Sequence, residues 1–247
     1  MSKIVKRGYL PSDEKEFSSE SIEKLHKAGH NLYYLLNQGY NIKSASVFVG
    51  NHYLLSERQR IALTRTIFAE QNIKIRIDKE IKDKLEGSTV NIDGFNTIIT
   101  LEVALSDSVL LKCMDGTIKD LAGLRGTYRL IDKTQLAITM IGEMLEKNKV
   151  GKANFYLDSP VSNSGKLKER ILELLNDFSF DVQVENINNV DAILETLDNV
   201  ITSDAIILDK CKSWINLNKK IIESNIYNYT YVDFSELNDY YRKIEKN

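Results

Sequence analysis

The sequence has little cysteine and no long apolar run, and each shortage removes a class of protein. Cysteine occurs only at positions 113 and 211. Cys113 and Cys211 lie outside any C-x-x-C or Cys/His cluster, so neither a disulfide framework nor a structural zinc site is expected. Buried free thiols are the ordinary outcome. No stretch is apolar for long enough to span a bilayer, and Met1-Ser2-Lys3-Ile4-Val5-Lys6-Arg7 has no secretory h-region. A soluble, cytoplasmic protein without membrane contact is the expectation. No internal repeat or low-complexity tract is present. The G-x-x-x-x-G-K-[ST] phosphate loop is also missing.

What is there suffices for a large core. The chain has 247 residues, 43% of them hydrophobic and 28% charged, enough for one large domain or two ordinary ones. The net charge of −2 hides an asymmetry. Residues 1–86 hold 15 Lys/Arg against 11 Asp/Glu, and the remainder holds 18 against 24. A basic front and an acidic back suit a nucleic-acid grip joined to a cation-binding centre, and equally two domains that attract one another.

The stretch that organises the chain is Val90-Asn91-Ile92-Asp93-Gly94-Phe95-Asn96. Val90 and Ile92 alternate as strand residues do, Gly94 ends the strand, and residues 97–105 read as a buried helix. Asp93 is therefore left at the carboxyl end of a strand, where open α/β sheets hold ligands. A carboxylate buried there costs free energy unless a cation or hydrogen-bond donors satisfy it. Shaping the turn or capping the helix is the alternative role.

Ahead of this strand the pattern is helical. Arg7 to Glu14 reads as an extended arm with a turn at Pro11. Ile22, Leu25, Leu32, Leu35 and Leu36 mark one helix face, stopped at Gly39. His26 and His30 are spaced i, i+4 but lack a third ligand, and read as surface or interface residues. A second helix is expected from Lys43 to Phe48 and a turn at Gly50-Asn51-His52-Tyr53. Ser56 and Gln59 have capping-box spacing for a third helix. The result is a helix-turn-helix-like bundle over residues 1–86. Arg58, Arg60 and Arg65 on the third helix are candidate phosphate contacts, or simply a solvated face. Residues 71–88 read as a connector.

Behind it, strands and helices alternate over 87–247. Residues 109–113 predict an edge strand with a turn at Asp115-Gly116. Residues 120–128 form a glycine-punctuated loop before a long helix through Leu145. Further strands are expected at 154–158, 181–185, 199–204 and 229–234, with a frayed charged helix from Tyr240. Short-loop alternation predicts a mostly parallel central sheet with helices on both faces. Ser162, Ser164 and Lys166, at a helix start, are candidate anion contacts or ordinary caps.

Three of these strands end in Asp93, Asp158 and Asp204. Neighbouring strands lie about 4.8 Å apart, so such carboxylates can converge on one ion. Their mutual repulsion is relieved by a divalent cation, and all-oxygen donors favour Mg²⁺ or Mn²⁺ over zinc.

Asp93-Gly94-Phe95-Asn96, with Thr202-Ser203-Asp204, resembles the PIN-like nuclease superfamily, particularly its NYN branch, over roughly residues 88–235. The whole chain is also similar to an uncharacterised prokaryotic family of unknown function. That family joins a small helical domain to a PIN-like domain, matched here by Arg7-Gly8-Tyr9-Leu10-Pro11-Ser12-Asp13 and by Gly50 to Arg60. The PIN-like resemblance implies three or four acidic residues holding Mg²⁺ or Mn²⁺, and a water that attacks a phosphodiester. Asp93 would be the first ligand and Asp204 a late one, with Asn96 orienting the water or a ligand. Asp158, Asp191, Asp209 and Glu102 compete for the remaining places, Asp158 and Asp209 being preferred. Residues 106–128 and the Ser-rich loop after Asp158 depart from the family pattern.

The functional expectation is a metal-dependent nuclease, acting on RNA ahead of DNA, with residues 1–86 gripping the strand. The alternatives are an inactive nucleic-acid-binding module and a phosphatase or phosphotransferase using the Ser162–Lys166 loop.

Overall fold

The N-terminal elements begin where their caps are. In the computed structural model, which describes residues 5–83, 85–123, 126–227 and 229–237, one turn, α1 (Asp13–Glu16), precedes the longer helices. α2 (Ser19–Asn37) is capped by Ser18, and α3 (Ile42–His52) by Asn41. α4 (Glu57–Thr66) carries the full capping box: Gln59 N donates to Ser56 Oγ, and Ser56 N donates to Gln59 Oε1. Capping leaves fewer orphaned backbone donors at each helix start.

Two of these elements depart from the sequence expectation. The second helix continues through Gly50 to His52, and the turn falls at Tyr53–Leu55, where Leu54 takes φ 51°. Arg60 lies against Gly50 in that helix, and a Cβ there would meet the guanidinium. The expected connector contains a helix, α5 (Glu70–Lys79). Its buried face consists of Ile73 and Arg76, and an arginine at a core position hides the apolar period on which helix recognition depends.

The remaining elements build two sheets. β1 (Thr89–Asp93) leads directly into α6 (Gly94–Ala104). A hairpin follows, β2 (Leu110–Lys112) and β3 (Ile118–Asp120), then α7 (Asp132–Lys147), β4 (Lys152–Asp158) and α8 (Ser164–Leu175). β5 (Asp181–Ile187), α9 (Val190–Leu194), β6 (Val200–Ile201), α10 (Ala205–Lys210), α11 (Leu217–Asn225) and β7 (Tyr231–Asp233) complete the chain. The larger sheet has the order β5-β4-β1-β6, and every pairing in it is parallel. The protein is thus α/β, with helices at its N-terminus and a parallel sheet flanked by helices.

Residues 109–113 and 229–234 do not extend that sheet. Their strands, β2 and β7, pair in parallel in a separate sheet of order β3-β2-β7, with β3 antiparallel to β2. The Met114-Asp115-Gly116 turn closes the hairpin, and Gly116 adopts φ 82° there. β6 is shorter than expected and stops at Ile201, so Asp204 caps α10 instead of ending a strand. The helix expected from Tyr240 lies outside the described residues.

Burial follows these layers. One core packs Val90, Ile92 and Phe155 of the parallel sheet against Ile98, Ile141, Leu167 and Ile221 from its helices. A second packs Leu25, Leu32, Leu63 and Ile73 of the N-terminal helices against Leu111, Cys113 and Phe234 of the small sheet. The helical part is therefore completed by residues far beyond position 86. Both cysteines are buried free thiols. Among the described residues, no helix is long and apolar enough to cross a membrane.

Gly94 fixes how closely α6 can approach β4. A Cβ at Gly94 would stand 2.5 Å from Leu157 Cδ2 and 3.1 Å from the Tyr156 carbonyl oxygen. Because that carbonyl belongs to the sheet backbone, it cannot give way cheaply. Gly94→Ala is expected to destabilise the fold by about 1–3 kcal/mol, read as a lower urea midpoint at unchanged slope. An unaltered midpoint would mean that the helix can slide.

Candidate functional site

The parallel sheet reverses its winding at one place. From β1 the chain moves to β4 and then β5 on one side, and returns to place β6 on the other side of β1. The carboxyl ends of β1 and β6 therefore flank the switch point, where open α/β sheets form a ligand crevice.

Two short motifs interlock there. Asp93 ends β1 and caps α6, accepting at 3.4 Å from Asn96 N. Asp204 caps α10, its Oδ1 accepting from Ile206 N at 2.7 Å and Ile207 N at 3.3 Å. Thr202 Oγ1 donates to Asp93 Oδ2 at 2.8 Å and accepts from Asp204 N at 3.0 Å. The Asn96 carboxamide oxygen accepts from both Ser203 N and Ser203 Oγ, each at 2.9 Å. D-G-F-N and T-S-D are thus one hydrogen-bonded unit, although more than a hundred residues separate them.

This unit opens into a cleft of about 370 Å³. Asp93, Asp158, Asp191 and Asp204 all line it, together with Asn96 and Ser203. Asp158 is the last residue of β4, and Asp191 lies in the first turn of α9. α4 and the β2–β3 hairpin contribute Thr64, Arg65, Lys119 and Asp120 to the same cleft.

The aspartates act on one another electrically. Burial pushes the Asp93 carboxyl up to about 7; the Thr202 hydroxyl opposes that rise, and the Asp204 and Asp191 charges add to it. Asp191 is also raised, by burial first and then by Asp204, Asp158 and Glu195, with Lys210 pulling the other way. Like charges brought together in a partly dry cleft disfavour full ionisation.

The donor set suits a hard cation: it is all carboxylate and amide oxygen. Among the described residues, Asp204 Oδ2 and the Asp191 carboxylate accept no protein hydrogen bond. Among the described residues, no three His, Cys, Asp or Glu side chains form a ready-made metal cage. Mg²⁺ is commonly held by one or two carboxylates, with water and substrate oxygens completing the shell.

Several sequence candidates lie elsewhere. Asp209 does not line the cleft: its Oδ1 accepts from Arg76 Nε at 2.7 Å and its Oδ2 from Asn72 Nδ2 at 3.1 Å. Glu102 is fully buried on α6, paired with Arg7 and bonded by Tyr128 and Thr134. Arg58 is committed to Asp13 and to the Gly8 and Leu121 carbonyls. Arg60 donates to the Leu55 carbonyl. Ser162 Oγ accepts from Tyr128 N, and Ser164 Oγ donates to the Ser159 carbonyl and accepts from Asn186 Nδ2, so both are engaged within the fold. Lys166 is exposed and does not line the cleft. Arg65 does line it, and donates to the Asp120 carbonyl at 2.6 Å.

Sequence reasoning missed Lys119 and Asp120. The available signal was the Asp115-Gly116 turn, which implies a returning strand through Ile118-Lys119-Asp120.

Comparison with known proteins yields families without an assigned activity. A model described as "Domain of unknown function (DUF5616)" matches residues 82–220, and one described as "Protein of unknown function (DUF434)" matches residues 24–79. The uncharacterized protein MJ0935 of Methanocaldococcus jannaschii is 36% identical over 186 residues, covering 74% of this chain and 88% of that protein. No solved structure matches.

The buried charge at Asp93 has a consequence for stability. Its folded-state value of about 7 lies above the roughly 3.9 of an unfolded aspartate. Between those values the folded chain binds the extra proton, so this group's contribution falls as pH rises from 4 to 7. Asp93→Asn removes that dependence while keeping an acceptor for Thr202 and a good helix cap. In chelator, Asp93→Asn should stabilise the fold by about 2–4 kcal/mol at pH 8 and by almost nothing at pH 4. Chemical denaturation at both values checks this, and an equal effect at both would show that burial is not the cause.

Proposed function

We propose that this chain, which belongs to the DUF5616 family, is a divalent-cation-dependent nuclease hydrolysing phosphodiester bonds, in RNA ahead of DNA. The observation that carries the reading is the gathering of Asp93, Asp158, Asp191 and Asp204, from four separate elements, around one cleft at the sheet's switch point. A parallel sheet with interlocked D-G-F-N and T-S-D motifs is also what a PIN-like, NYN-type domain would present. That assignment is part of the proposal.

In this reading Asp93 and Asp204 hold Mg²⁺ or Mn²⁺, with Asp158 or Asp191 as the further carboxylate. The bound cation supplies Lewis acidity for a phosphoryl oxygen and lowers the pKa of a water. The chain's own groups do the positioning. Ser203 occupies the Asn96 carbonyl oxygen, so the Asn96 amide presents its N–H donors to the cleft, where they orient the attacking water or a phosphate oxygen. Thr202 fixes the rotamer of Asp93. A free carboxylate oxygen nearby, on Asp158 or Asp191, accepts the proton that the water gives up.

A second reading, a nucleic-acid-binding module that does not cleave, is favoured by one observation. Among the described residues the carboxylates do not stand in threes at metal-binding distance.

Calorimetry with Mn²⁺ separates the two when combined with cleavage of labelled single-stranded RNA and DNA. Intact protein is expected to bind Mn²⁺, gain thermal stability from it and cut RNA. Asp93→Asn and Asp204→Asn should each lose at least tenfold in Mn²⁺ affinity and a hundredfold in rate, while remaining folded. Undiminished cleavage by a clean preparation of either variant would sink the assigned roles.

A further inference from the structure

We propose that Lys119, with Arg65 beside it, is the phosphate-binding group of the cleft, and that the cleft takes a nucleic-acid strand and not a lone nucleotide. The proposal rests on the nuclease reading for its choice of ligand, but its geometry is independent of the metal.

Lys119 is 8% exposed, and it lines the same cleft as the aspartates. Its ammonium stands 4.9 Å from the centre of the Phe68 ring. Among the described residues it has no carboxylate at ion-pair distance and no hydrogen-bond acceptor. The other deeply placed cations are treated differently. Arg7 has Glu102, Arg58 has Asp13, and Arg76 has both Asp115 and Asp209. The Lys119 side chain thus lacks a protein counter-charge among the described residues, and one ring face does not replace one. The adjacent Cys113 thiol is no counter-charge, because burial pushes it up to about 12. An anion entering the cleft supplies what the protein does not. Arg65 presents a second cation there, its guanidinium donating to the Asp120 carbonyl and standing 3.9 Å from the Asp120 carboxylate.

Shape favours a strand. The cleft of about 370 Å³ shares Ile99 and Gly123 with a second cavity of about 460 Å³, and Arg65 and Gly123 with a third of about 720 Å³. A chain seated at the aspartates therefore has room to continue beyond them. The second cavity adds Arg129, an exposed cation, along that path. Phosphate contacts of this kind set position without reading sequence.

The test is fluorescence anisotropy of a labelled RNA hexanucleotide in EDTA and in Ca²⁺, at low salt. Lys119→Met keeps the aliphatic stem against Phe68 and removes the charge; its melting curve checks folding. It should weaken binding at least fivefold and flatten the salt dependence by about one phosphate contact. Arg65→Gln should weaken it severalfold. Lys119→Met binding as intact protein does, or intact protein failing to bind in either buffer, overturns the site. Competition adds the second arm: an unlabelled mononucleotide or inorganic phosphate that displaces the probe as well as unlabelled hexanucleotide does would overturn the strand. Should cleavage never be found while Lys119→Met still weakens binding in EDTA, the phosphate site stands and the nuclease reading falls.

Discussion

The burial of Arg76 is the constraint from which the arrangement follows. Its side chain is 2% exposed, and its charge is met by Asp115 at the β2–β3 turn and by Asp209 on α10, each at 2.7 Å. Its guanidinium lies 4.1 Å from the centre of the Phe68 ring, and its carbonyl accepts from the buried Trp214 indole at 2.7 Å. One residue of α5 thus joins the N-terminal helices, the small sheet and the helix that follows β6. Removing either carboxylate would leave a buried charge partly unmatched, a defect that costs about 3–5 kcal/mol in comparable pairs. The geometry reaches the cleft from two directions. Holding Asp209 fixes α10, whose first turn carries Asp204; holding Asp115 fixes the hairpin that carries Lys119.

Arginine is used repeatedly in this chain as an internal fastener. Arg7 pairs with Glu102 and lies over the Tyr128 ring, joining the N-terminal arm to α6. Arg58 clamps Asp13 and takes the Gly8 carbonyl, so the R-G-Y-L-P-S-D segment is strapped across α4 and the end of β3. Burial raises Glu102, and Arg7 opposes that rise. A planar guanidinium with several donors suits such multi-partner sites better than an ammonium does. Among the described residues, this division of labour leaves Arg65 and Lys119 as the cations facing the cleft.

What could be read from the chain was local. The Val90–Ile92 alternation, Gly94, the Ser56–Gln59 box and the strand-end aspartates each carry their signal within a few residues. The parallel sheet and the N-terminal helices were therefore legible. Elements whose identity depends on distant partners were not. α5 has a buried arginine where periodicity looks for an apolar residue. β3 is three residues long and exists because β2 stands beside it. The choice between Asp191 and Asp209 was beyond sequence for the same reason. Both are acids on short helices, and the buried arginine that removes Asp209 from contention lies 133 residues earlier in the chain.

The cleft concentrates two opposite electrostatic costs that the fold does not cancel internally. Asp93 is buried among other carboxylates, which raises its pKa and makes its ionised form expensive. Lys119 lies against an aromatic ring, and among the described residues no carboxylate pairs with it. Pairing one with the other would relieve both, yet they line one cavity without forming an ion pair. Groups held apart in this way gain from a ligand that carries both signs in the same order. A divalent cation against the aspartates and a phosphate between that cation and the ammonium does so, because the phosphate meets positive charge on both sides. A lone cation would answer only the aspartates, and a phosphate without the cation would answer only the ammonium. In the proposed reading the phosphate and the cation therefore support one another in the cleft.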